Sequence, residues 1–197
     1  MKCDIDGCGT EVTFDFARIE SRRLVFQKHY CERHARECFE QFRSNAFVGA
    51  GAHHAVPGIV CVDLEMIIYH IGPEDTPGCI YLHEVGGERR FCTMVSRDAY
   101  CGLMTEVRRD TAPRPFTHAG WAATITQLGG VVQDVVVDKA GDADQWFDAK
   151  VRIRKDDRLV SVDVRPSDAY ILAVITGVPI LAVEKGMEKF FSGRGGW

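Results

Sequence analysis

The sequence predicts an α+β fold: a mixed β-sheet with helices packed on it, preceded by a small metal-binding module. Three observations predict it. Strand patterns outnumber helix patterns and come in consecutive pairs, which suits α+β better than a doubly wound sheet. Cys3, Cys8, Cys31 and Cys38 gather near the N-terminus with His29 and His34. The run from Ser44 to Gly58 is uncharged and rich in Gly and Ala, as a linker is. The expected organisation is a zinc-binding module over 1–43, a linker over 44–58 and an α+β domain over 59–197.

The elements follow in order. The stretch between Cys8 and Cys31 is rich in β-branched and aromatic residues and has the length of a hairpin. A helix is expected from Glu32 to Arg43. Ile59–Ile71, Gly78–Val85 and Arg89–Val95 read as strands, the last two joined by a Gly86-Gly87 turn. Leu103 and Val107 sit at helical spacing within 98–108. Thr117 is placed to cap a helix bearing Trp121, Ile125 and Leu128 and stopped by Gly129-Gly130. Val131–Val137, Trp146–Ile153 and Arg158–Val164 are strands. A helix over 167–176 ends at Gly177, followed by a strand at Pro179–Val183 and a short helix over 184–191. Met94 to Tyr100 echoes Val164 to Tyr170: each places Asp-Ala-Tyr where a strand becomes a helix, so two equivalent corners are expected.

Composition narrows the function. The chain is 46% apolar and 26% charged, which supports a buried core. Its formal charge of −4 excludes a protein held to nucleic acid by a broad basic surface. No apolar run approaches the roughly 18 residues that span a bilayer, and the first residues lack a secretory signal's apolar stretch. The expectation is a cytoplasmic protein with no membrane partner, whose clustered cysteines serve a metal and not disulfides.

Cys3 and Cys8 form one short pair; Cys31 and His34 form a second, at the start of a helix whose dipole favours a thiolate. Two pairs separated by a hairpin supply the four corners of a tetrahedral zinc site, closed and therefore structural. Cys38 and His29 compete with His34 for the fourth position. The arrangement resembles a treble-clef knuckle such as that of the bacterial arginine-kinase activator proteins. A module this small has too little core to fold without such a staple.

Two motifs mark the larger domain: Pro113-Arg114-Pro115-Phe116-Thr117-His118, and Val162-Asp163-Val164-Arg165-Pro166-Ser167-Asp168-Ala169 followed by Gly177-Val178-Pro179-Ile180. Over roughly 57–190 they resemble the bifunctional nuclease domain family. The resemblance implies a small α+β domain that self-associates into homo-oligomers and cleaves DNA and RNA. Two positions depart from the family pattern. The glycine usual at the first corner is absent from Met94–Ala99, and Ala119 stands where Asp commonly follows Thr-His.

Phosphodiester hydrolysis needs an activated water, positive charge on the non-bridging oxygens and an acid for the leaving oxygen. Asp168 and Asp98, at matching corners, are candidate ligands for Mg²⁺ or Mn²⁺. Arg165 and Arg114 are candidate phosphate forks, and His118 a general acid or base. Ser167 and Thr117 open helices whose amides suit an anion. Lys150 and Arg152 lie on one strand face, with Arg154, and are candidate backbone contacts. Each has a plainer reading: Ser-Asp as a helix cap, Arg165 as a corner ion pair, the strand cations as solvated surface. The acidic run Asp134, Asp138, Asp142, Asp144 and Asp148 reads as a solvated face, and Cys61, Cys79, Cys92 and Cys101 as buried fillers. The expected function is a metal-dependent nuclease acting on DNA or RNA. The alternative is a non-enzymatic adaptor whose zinc module recruits a protein partner.

Overall fold

The computed structural model describes residues 1–44, 57–71, 77–139 and 147–185. Most of the expected linker with His53-His54, most of the helix expected over 184–191, and Asp142 and Asp144 lie outside the described residues.

The order of elements is β1 (Phe14–Glu20), β2 (Arg23–Tyr30), α1 (Glu32–Ser44), β3 (Ile59–His70), β4 (Gly78–Glu84), β5 (Arg90–Val95), α2 (Arg97–Arg108), α3 (Thr117–Gln127), β6 (Gly130–Lys139), β7 (Phe147–Lys155), β8 (Arg158–Val164), α4 (Pro166–Thr176) and β9 (Ile180–Val183). The α+β class is as expected, and the strand and helix patterns appear close to their expected places. One helix start differs. Thr117 is the first residue of α3, and Phe116 occupies the cap with no side-chain hydrogen bond.

All strands join one mixed sheet. The long strand β3 organises it. Along one edge it pairs with β4, and β4 with β5. Along the other edge its N-terminal part pairs with β9 and its C-terminal part with β1. From β9 the sheet continues through β6, β7 and β8; β6–β9 is its parallel pairing. The segments expected as separate units, 1–43 and 59–197, thus share backbone hydrogen bonds, from Phe14–His70 to Arg18–Met66. The physical reason is an edge: β1 closes the β3 rim that would otherwise leave unpaired backbone groups.

The two sheet faces bury different helices. Phe16, Met66 and Ile68 pack with Ala35, Phe39 and Phe42 of α1, in one cluster with Tyr30 and the Cys3–Cys31 region. Ala17, Ile67 and Tyr69 turn to the other face, with Leu103 and Met104 of α2, Ile125 of α3 and Ile171 and Leu172 of α4. A bulge between Leu64 and Met66 reverses the alternation of β3. Its extra residue is Glu65, whose side chain is 1% exposed. Arg90 grips this carboxylate through Nε (2.8 Å) and Nη2 (2.9 Å), and Arg18 approaches at 3.3 Å. The Arg90 guanidinium also lies 4.9 Å from the Phe42 ring centroid, tying α1 to the sheet.

Candidate metal centre and the paired helix entrances

The N-terminal ligands converge. The ligand atoms of Cys3, Cys8, Cys31 and His34 all lie within 4.8 Å of one another. Cys8 Sγ is 3.9 Å from Cys31 Sγ; His34 Nδ1 is 3.2 Å from Cys3 Sγ and 3.5 Å from Cys31 Sγ. Two sulfurs bound to one tetrahedral zinc lie about 3.8 Å apart, so the spacing fits that ion. The tight turn at Gly7, with φ of 77°, brings Cys8 N to the Ile5 carbonyl and its thiol to the cluster. Hydrogen bonds from the Thr10 side chain and backbone pull the Cys8 thiol down to about 6, towards the thiolate a metal requires. Competition for the fourth position resolves in favour of His34. His29 Nδ1 instead meets Asp4 Oδ2 at 3.3 Å, and Cys38 is hydrogen-bonded to Tyr30 and pushed up by burial. Four protein ligands leave no position for substrate, so zinc here would be structural.

One buried contact links this module to α2. Tyr100 donates its hydroxyl to Asp15 Oδ2, which Gln27 Nε2 also approaches at 2.5 Å. Asp15 lies on β1 and is 5% exposed.

The two strand-to-helix corners, β5→α2 and β8→α4, come together. α2 packs on α4, and both corners line one pocket of about 720 Å³. Thr93, Val95 and Ser96 form one wall; Asp163, Arg165 and Ser167 form the other. Ser96 caps α2, its hydroxyl accepting from Ala99 N at 3.5 Å. Pro166 starts α4 at a position that needs no N–H, and Gly177 ends it with φ of 74°.

Asp168, in the first turn of α4, is the hub of the second corner. Arg165 donates from Nε to Oδ2 at 2.7 Å and from Nη2 to Oδ1 at 3.1 Å. His118 Nε2 lies 3.1 Å from Oδ1. Burial pushes this carboxyl up, but the Arg165 and His118 hydrogen bonds outweigh it and hold it below the usual carboxylate range. The imidazole is 20% exposed and rests over Gly102 of α2, where an added Cβ would meet it at 3.8 Å. Glu106, one turn along α2, is pushed up by burial, an effect the charge of His118 opposes.

Asp98 lies in the first turn of α2 and adds to the negative field at Arg165. Arg114 and Thr117 are exposed, and nothing in the described residues draws Arg114 to the corner. Ser167 is buried and lines the pocket. Lys150 is exposed on the outer sheet face, whereas Arg152 is committed to Asp134, with Nη2 to Oδ2 at 2.7 Å. Cys101 is exposed on α2 and the other three late cysteines are half-buried, so the expectation of buried fillers is corrected. An Mg²⁺ or Mn²⁺ held by Asp168 and Asp98 would have to displace or share a partner of Asp168. Both Asp168 oxygens already accept hydrogen bonds. Among the described residues, three or more metal-ligating side chains converge only at the N-terminal cluster.

Sequence reasoning missed Glu65, Asp15, Glu106 and the part played by Phe147, Asp148 and Asp163 in the pocket. An acid inside an apolar β-branched run was the available signal for Glu65. The rest depends on which strands become neighbours.

A strand-rich α+β domain, two helix entrances around one pocket and a Cys₃His cluster with the spacing of a zinc site define a domain built around strand-to-helix corners. The chain belongs to the bifunctional nuclease domain family, whose sequence pattern matches residues 80–190. That span holds both corners and all of the pocket lining except Pro77; the cysteine cluster precedes it. No curated relative matches the chain. No helix among the described residues is long and apolar enough to cross a membrane.

Proposed function

We propose that the chain binds a phosphodiester of DNA or RNA at the paired corners and hydrolyses it there. The observation that carries this is the Arg165–Asp168–His118 chain, whose Arg165 lines a pocket at which α2 and α4 begin. Arg165 is 71% exposed, so its guanidinium reaches solvent while Asp168 fixes its position. It can hold a non-bridging oxygen, and the α2 and α4 amides favour the same negative charge. Asp168 orients the imidazole of His118, a group whose ordinary pKa suits proton transfer near neutrality. In that role His118 takes the proton of an attacking water as the new P–O bond forms. The leaving oxygen takes a proton from solvent as its bond to phosphorus breaks. Family membership supports the reaction class.

The test is cleavage of plasmid DNA and RNA by purified protein, with Mg²⁺ or Mn²⁺ and with chelator. Asp168→Asn and His118→Asn are expected to lose cleavage by about 10²-fold or more. Full cleavage by a folded Asp168→Asn protein would remove the assignment. A second reading is favoured by one observation. Val25 and Phe26 are exposed on β2, an edge strand of the zinc-module hairpin. Under that reading the hairpin docks a protein partner, or a second copy in a homo-oligomer, and the corners are structural. Partner capture that survives Val25→Lys would count against it.

A further inference from the structure

We propose that the pocket between β5 and β8 is a nucleobase subsite, which makes single-stranded nucleic acid the substrate class. This rests on the reading that a phosphodiester is bound at the corners. Among the described residues the two strands are free edges of the sheet: β5 pairs with β4 alone and β8 with β7 alone. They line opposite walls of the pocket, and the Phe91 and Phe147 rings, 5.9 Å apart, show how closely the β5 and β7 ends approach. Unpaired edges offer backbone donors and acceptors to a planar polar guest. The volume of about 720 Å³ lies within the roughly 300–1,000 Å³ of small-molecule sites.

The lining matches a base better than a phosphate. Phe147, Met94 and Val164 present apolar surface, as a flat aromatic guest requires. Asp148 and Asp163 stand on the same sheet face, because Asp163 pairs with Lys150, two residues from Asp148. Neither carboxylate has a hydrogen-bond or ion-pair partner among the described residues. Unpaired carboxylates repel phosphate but accept from the exocyclic amino group of a base. The Thr93 hydroxyl, on a residue 3% exposed in the opposite wall, is buried beside the Tyr170 hydroxyl, and neither meets hydrogen-bond geometry with a partner. The lining is therefore divided: the base amino group meets Asp148 and Asp163, and the phosphate meets Arg165.

Charge points the same way. The formal charge is −4, and the pairing of Arg152 with Asp134 interrupts the basic stripe of Lys150, Arg152 and Arg154 that a duplex would follow. A base already free of its stack enters such a pocket at low cost, whereas a duplex must first unpair. Bases that carry an amino group are favoured over thymine and uracil.

Binding separates this subsite from the hydrolysis it rests on. Fluorescently labelled phosphorothioate ten-mers of dC and of dT, and a dC·dG duplex, are titrated in chelator. The single-stranded dC oligomer is expected to bind about tenfold tighter than dT and than the duplex. Asp148→Asn with Asp163→Asn should reduce the dC over dT preference to below about twofold, with the thermal unfolding midpoint retained. Equal affinity for dC and dT, duplex binding as tight as single strand, or a preference unchanged in the double variant would overturn the subsite. Displacement of the dC oligomer by an Arg-rich peptide, without base preference, would assign the carboxylates to a cationic protein segment and also overturn it. Base-selective binding without cleavage would leave the subsite standing while the hydrolysis failed; cleavage without base preference would do the reverse.

Discussion

Replacing Glu65 by Gln tests whether the extra residue of the β3 bulge holds the two halves of the sheet together. The carboxylate is 1% exposed and carries three close guanidinium contacts, two from Arg90 and one from Arg18. Gln keeps the volume and removes the charge, leaving two arginines facing each other. Removing one partner of a buried ion pair costs about 3–5 kcal/mol. Arg90 and Arg18 are 20% and 17% exposed and can turn partly to water, which places the expectation near about 3 kcal/mol. For a chain of this length, that lowers the unfolding midpoint by about 6–12 °C. Calorimetry of the purified variant measures it. Glu65→Gln combined with Arg90→Met should recover part of the loss, because the double change removes one of the two cations left facing each other. A loss below about 1 kcal/mol would refute the assignment, as would a double variant as unstable as the sum of the singles.

Three other contacts yield tests of their own. Stripping zinc should release one ion per chain, read with a colorimetric chelator, and raise amide exchange in β2 and α1 before it does so in α4; no bound zinc, or uniform exchange, contradicts this. Gly78→Ala should destabilise by about 1–3 kcal/mol in urea titration, because its Cβ would sit 2.7 Å from the Ile68 carbonyl oxygen; a neutral result means the strand can shift. Asp168 has a folded pKa below its ordinary value, so its stabilisation is complete above about pH 4 and is lost as pH falls through the folded value. The stability gap between wild type and Asp168→Asn should accordingly be flat from about pH 5 to 7 and narrow on acidification below about pH 4; a gap constant down to about pH 2 refutes the pairing.

Much of this protein can be read from local pattern. Cys3, Cys8, Cys31 and His34 have spacing that makes sense only if a hairpin folds between the pairs, and that hairpin exists. The strands and helices are legible because apolar periodicity and Gly or Pro punctuation act over a few residues. The repeated Asp-Ala-Tyr marks two equivalent corners without saying where either lies in space. Recognition of Arg165-Pro166-Ser167-Asp168 as a family motif likewise rests on sequence alone.

Other features were decided only by the tertiary structure. Asp168 gains a second partner beyond its neighbour Arg165 only because His118, fifty residues away in the chain, arrives on α3 at 3.1 Å. Glu65 is tolerated inside an apolar strand because a bulge and two arginines from other strands meet it. The pocket exists because the sheet brings two of its edges face to face. Side-chain periodicity and turn chemistry are local and therefore written in order along the chain. The neutralisation of a charge and the shape of a cavity are sums over groups from distant segments, and only folding brings those groups together.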